Sequence, residues 1–178
     1  MFYSLKIEKS GIYRYIGRLS RRNGMELNTG MNENQRASVS GSLNKILADT
    51  YLLYVKTQNY HWNVTGIEFF SIHKMFDEQY HEMAEAIDEI AERIRALGFF
   101  VEATLDAFKK ISSIKEDGLV HSKLEMLKNL VEGHEVVIRD ARNLASLAEK
   151  HNDQATVDLM ARRLGVHEKA AWMLRSQI

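Results

Sequence analysis

The chain has 178 residues, 24 basic and 24 acidic side chains, a formal net charge of zero, no cysteine and no proline. That length allows one domain with a substantial core. The absence of cysteine excludes disulfides and thiolate metal sites. No apolar run reaches the length of a membrane span, and a chain without proline suits long uninterrupted helices.

The charge is unevenly spread. Residues 1–24, MFYSLKIEKSGIYRYIGRLSRRNG, hold Lys6, Lys9, Arg14, Arg18, Arg21 and Arg22 against the single acid Glu8. The segment lacks the continuous hydrophobic region of a secretory signal. As a functional element it is a basic arm able to grip DNA phosphates, with Tyr13 and Tyr15 among its cations. The plainer reading puts residues 1–24 upstream of a true start at Met25. Residues 25–35 then contain no lysine or arginine. The expected division is a flexible basic extension over 1–30 and one domain over 31–178.

A first long helix is predicted over about 34–60. Leu43, Leu47, Thr50, Tyr54, Thr57 and His61 lie on one stripe at alternating four- and three-residue steps. His61 ends the stripe, where a histidine is ordinarily a packed or hydrogen-bonded core residue. Asn63 and Gly66 supply the turn that follows.

The next stretch is the most informative. Ile72, Met75, Phe76, Met83, Ile87, Ile90, Ala91, Ile94 and Leu97 recur at helical spacing, and Gly98 with Arg93 and Arg95 makes a stop signal. On this second helix His73 and Asp77 are one turn apart, as are Asp88 and Glu92. Eleven residues separate the two acids Asp77 and Asp88, roughly three whole turns, so both pairs face nearly the same way. The same spacing puts them roughly 16 Å apart, too far for one metal ion.

An antiparallel copy of this helix about a two-fold axis removes the difficulty. The pairs 73/92 and 77/88 are centred on the same point, so His73 of one chain faces Glu92 of the other, and Asp77 faces Asp88. A two-fold interface imposes this self-complementarity. It builds two identical sites of imidazole and carboxylate. Mixed ligands of this kind suit iron or zinc, and carboxylate-rich sites with open positions suit redox iron. Charged residues four apart are otherwise a solvated face or a set of ion pairs.

A polar connection with a short helix over about 104–110 is predicted next. A third long helix runs over about 118–150, with the seam Leu124, Leu127, Val131, His134, Ile138, Ala141, Ala145 and Ala148. His134 reads as a satisfied core or interface histidine. The fourth runs over about 153–176, opened by Asn152 or Asp153 as N-cap. Four long helices with one long crossover make an all-α, ferritin-like four-helix bundle.

The run YHWNVTGIEFFSIHKMFDEQYHEMAEAIDEIAERIRALG (60–98) resembles the Dps family of dodecameric mini-ferritins. HWN at 61–63, H-x3-D at 73–77 and D-x3-E-R at 88–93 match that family's ferroxidase motifs in residue type and spacing. HEKAAWMLRS at 167–176 resembles its ending. The resemblance implies that His61, His73 and Asp77 of one subunit, with Asp88 and Glu92 of its two-fold mate, bind iron. It implies oxidation of Fe²⁺ to Fe³⁺ with hydrogen peroxide preferred over oxygen, ferric mineral stored in a hollow shell of twelve, and protection of DNA from oxidative damage. It also implies three-fold pores lined by acids, here Asp153 and Asp158, although acids at a helix start ordinarily offset the macrodipole. Trp62, beside His61, is a candidate radical sink or a packing aromatic. A cytoplasmic, nucleoid-associated protein is expected, without membrane contact.

Three other readings compete. A ferritin with its site inside each bundle needs two Glu-x-x-His motifs, and only Glu78–His81 is present. A nucleoid protein that condenses DNA rests on the basic extension. A metal-free structural bundle leaves His73 and Asp77 without a metal role.

Overall fold

A computed structural model describes residues 27–119 and 122–178. The basic residues of 1–24 lie outside the described residues. The described residues form five helices: α1 Glu33–Asn63, α2 Phe69–Ala96, α3 Leu105–Ile111, α4 Lys123–Lys150 and α5 Gln154–Arg175. Among the described residues there is no strand and no helix long and apolar enough to cross a membrane. The ferritin-like bundle expected from the sequence is the fold observed: α1 packs on α2, α4 on α5, and α1 on α4.

Each helix end has a local cause. Asn32 caps α1 through Gln35 N, and the Gln35 side chain bonds back to Asn32 N, a reciprocal capping box. Gly98 ends α2 in a left-handed conformation, φ +93. Its N–H bonds to Arg95 O and that of Phe99 to Ile94 O, closing a Schellman motif. Between α4 and α5 the same motif forms on Asn152, φ 56. Asp153 is therefore the residue that caps α5, accepting from Thr156 N. The start of α4 differs from expectation. Gly118 is left-handed at φ +66, and the helix begins five residues later behind the cap Ser122.

The core runs the length of the bundle. Leu43, Leu47, Phe76, Ile90, Leu127, Leu130, Val137 and Leu174 are 0–1% exposed, each such burial worth about 1.5–3 kcal/mol. The crossover is tied down by buried charge. Asp49, 0% exposed, accepts from Ser112 Oγ, Ser113 N and Lys45 Nζ, each at 2.7 Å. Farther along, the exposed Asp117 accepts from Tyr60 Oη at 2.6 Å and pairs with Lys56 at 2.6 Å. The buried carboxylate of Asp49 is tolerated because it is so paired.

Candidate metal centre

The last turn of α1 and the second turn of α2 bring His61 and His73 together. Their rings stack with centroids 3.8 Å apart and planes 18° from parallel. The contact is reciprocal: His61 Nδ1 lies 2.9 Å from His73 O, and His73 Nδ1 lies 2.8 Å from His61 O. A carbonyl oxygen can only accept, so both Nδ1 atoms carry the proton. In the neutral rings both Nε2 atoms keep a free lone pair, the form in which imidazole binds a metal. His61 is 8% exposed, so its orientation is fixed by packing as well as by the hydrogen bond.

Asp77 follows His73 by one turn. It accepts from Tyr80 Oη at 3.0 Å and from Lys74 Nζ at 3.1 Å. The Lys74 and Tyr80 hydrogen bonds hold its carboxyl below the usual carboxylate range, so it is ionised at neutral pH. His81 donates from Nδ1 to the Asp77 backbone carbonyl at 2.8 Å. Asp88 and Glu92 are exposed farther along α2, and neither makes an ion pair or side-chain hydrogen bond among the described residues. Within one chain no three described His, Asp or Glu side chains gather closely enough to hold a metal. His61, His73 and Asp77 are thus brought to one end of α2, and Asp88 and Glu92 are not brought to them.

The two acids expected at a pore differ. Asp153 is 3% exposed. It accepts from Arg93 Nη2 at 2.6 Å, from Thr156 N at 3.1 Å and from Thr156 Oγ1 at 2.6 Å. Burial pushes its carboxyl upward, but Arg93 and Thr156 outweigh burial and hold it low. Asp158 is exposed and paired with Arg162. Trp62 is 67% exposed.

His134 is a buried core histidine, as its seam position predicts, but it belongs to a network the sequence reading missed. Its Nδ1 lies 2.8 Å from His167 Nδ1. Arg163 donates to His167 Nε2 at 3.1 Å and is held by two bonds to Glu82. Because His167 Nε2 accepts, its Nδ1 carries the proton and donates to His134. His134 then carries its own proton on Nε2. That atom is buried with no partner among the described residues, and His134 is one of the residues lining a cavity of about 220 Å³, with Met75, Gln79, Glu82 and Met173 among the others. The i, i+4 spacing of Arg163 and His167 was the available signal.

A family model for the ferritin-like domain matches residues 41–178. The DNA protection during starvation protein 2 of Bacillus anthracis is 39% identical over 137 residues, covering 75% of this chain and 92% of that protein. The Dps crystal structure from Vibrio cholerae O1 aligns with a TM-score of 0.82 at 31% identity, over 88% of this chain and 99% of that one. The chain belongs to the Dps family of ferritin-like proteins. The Vibrio protein is described as one of a broad superfamily of ferritin-like diiron-carboxylate proteins. An uncharacterized low temperature-induced protein of Nostoc is also 42% identical over 154 residues, 85% of this chain and 86% of that protein. Two neighbours of the candidate ligands in this Dps chain, Lys74 and Tyr80, were not singled out in the sequence. Their signal was again helical spacing, at three residues before and after Asp77.

Proposed function

We propose that this Dps chain oxidises Fe²⁺ and stores the ferric product in a hollow homo-oligomeric shell of twelve subunits, with hydrogen peroxide the preferred oxidant and oxygen a slower one. The observation that carries the reading is the reciprocal His61–His73 contact, which leaves two metal-ready Nε2 atoms, with the ionised Asp77 one helical turn from His73. In a two-fold dimer, Asp88 and Glu92 of a second copy complete the set. Fe²⁺ is substrate here: the neutral imidazoles bind it without a charge penalty, and the carboxylates stabilise the trivalent product. Two irons supply the two electrons that take one peroxide to two waters, so no hydroxyl radical is released and nearby DNA is protected. The solvent-facing Asp158 remains a candidate for drawing cations to a pore. Asp153 acts as a helix cap and partner of Arg93.

The test is anaerobic Fe²⁺ loading followed by a pulse of peroxide or of oxygen, with ferric absorbance followed in time. His61→Ala and Asp88→Ala chains are assayed singly, then mixed after reversible dissociation. The shared site requires that each variant oxidise slowly and that mixed shells regain part of the rate. Single variants that match the parent would refute it.

A further inference from the structure

We propose that Tyr80 is a built-in electron donor to the iron site, and that Tyr54 is the next carrier of the hole it leaves. The inference rests on the iron-oxidation reading above and extends it to turnover with a single iron bound. Tyr80 is half-buried, and its phenol donates to Asp77 Oδ1 at 3.0 Å. Its ring stands edge-on to His61 with centroids 5.2 Å apart. Away from the site it meets Tyr54, edge-on at 6.0 Å, and Tyr54 meets Tyr51 at 6.1 Å. Tyr51 in turn lies 4.8 Å from Phe108 of α3. These separations are those of packed aromatic pairs. The row therefore leads without a gap from a candidate ligand to the crossover helix α3. Among the described residues Trp62, adjacent to His61 in sequence, makes no comparable ring contact, and it is 67% exposed.

Peroxide needs two electrons, and a single Fe²⁺ has one to give. The O–O bond then breaks to one hydroxide-level oxygen and one hydroxyl radical. Tyr80 supplies the missing electron at the site. Its phenolic proton leaves along the hydrogen bond to Asp77, and one further proton comes from solvent. The balance is Fe²⁺, tyrosine, H₂O₂ and H⁺ giving Fe³⁺, the tyrosyl radical and two waters. Tyr54 can then reduce Tyr80, losing its own proton to solvent while a proton from solvent, by way of Asp77, rebuilds the Tyr80 phenol. The oxidising equivalent ends away from the metal.

The assembled full-length protein is loaded anaerobically with less than one Fe²⁺ per site, pulsed with peroxide and freeze-quenched for electron paramagnetic resonance. A parallel sample carries a hydroxyl-radical spin trap. The parent should give a tyrosyl signal that changes with ring-deuterated tyrosine, and little trapped hydroxyl. Tyr80→Phe, which removes one oxygen, should lose that signal and raise trapped hydroxyl several-fold. Tyr54→Phe should instead prolong the Tyr80 component of the signal, and Trp62→Phe should leave the signal unchanged. A tyrosyl signal that survives Tyr80→Phe, or one lost in Trp62→Phe, overturns the proposal. So does a parent that oxidises iron without any tyrosyl signal. A parent that fails to oxidise iron under either oxidant fails the function reading first, and the two failures are thereby told apart.

Discussion

Lowering the pH from 7 to 5 should remove stability from this bundle through the buried histidine pair. His134 is 1% exposed, and burial, with Arg163 nearby, pushes it down to about 3. In the unfolded chain a histidine titrates near 6.5. Between those values the unfolded state binds a proton that the folded state refuses. Stability is therefore complete above the unfolded value and falls as the pH drops. Each bound proton is worth about 1.4 kcal/mol per pH unit well inside the window, which integrates to about 2 kcal/mol for His134 between pH 7 and 5. His167, pushed down by burial and by its neighbours His134 and Arg163, adds loss of the same sign. Equilibrium denaturation at pH 7, 6 and 5, at one fixed protein concentration because assembly contributes to stability, measures the slope. The double variant His134→Leu/His167→Leu should flatten it. The remaining histidines are common to both proteins. The paired carboxylates Asp77, Asp117 and Asp153 are all held low, so they lose stability only at more acid pH. An equal loss in parent and double variant would show that the pair is hydrated or protonated in the folded state, and would refute the argument.

Four further outcomes are expected. Asp153→Ala removes the α5 cap and leaves Arg93 without its carboxylate; it should cost about 2–4 kcal/mol, while Asp153→Asn, which keeps the cap, should cost less in a thermal melt. A Cβ at Gly133 would lie 2.5 Å from Leu53 Cδ1, so Gly133→Ala should destabilise by about 1–3 kcal/mol. In contrast, Gly165→Ala meets nothing within 4 Å and should stabilise by about 0.5–1 kcal/mol. Chains beginning at Met1 and at Met25, compared in a low-salt DNA shift assay, should differ if the cations of residues 1–24 bind phosphate, with binding falling steeply as salt rises. Two chains that behave alike would remove that segment from any DNA role.

By itself the sequence determined the helices and their stops, because those are local. Hydrophobic spacing marked the buried faces of α1 and α2, and Gly98 is the left-handed residue its position demanded. It also specified that His73 and Asp77 share a face with Asp88 and Glu92, since helical geometry alone settles that. Other features depended on which helix faces which. The α4 seam was only half the story: Leu127 and Val131 are buried, but so is the row Met126, Leu130, Val137 and Leu144, while Leu124 in the first turn is 44% exposed. No periodicity could disclose that His61 and His73 exchange backbone hydrogen bonds across the α1–α2 turn, or that Asp153 meets Arg93. The Glu82–Arg163–His167–His134 chain likewise draws on three helices. Contacts between residues dozens of positions apart are set by packing angle and helix rotation, and only the folded bundle decides those.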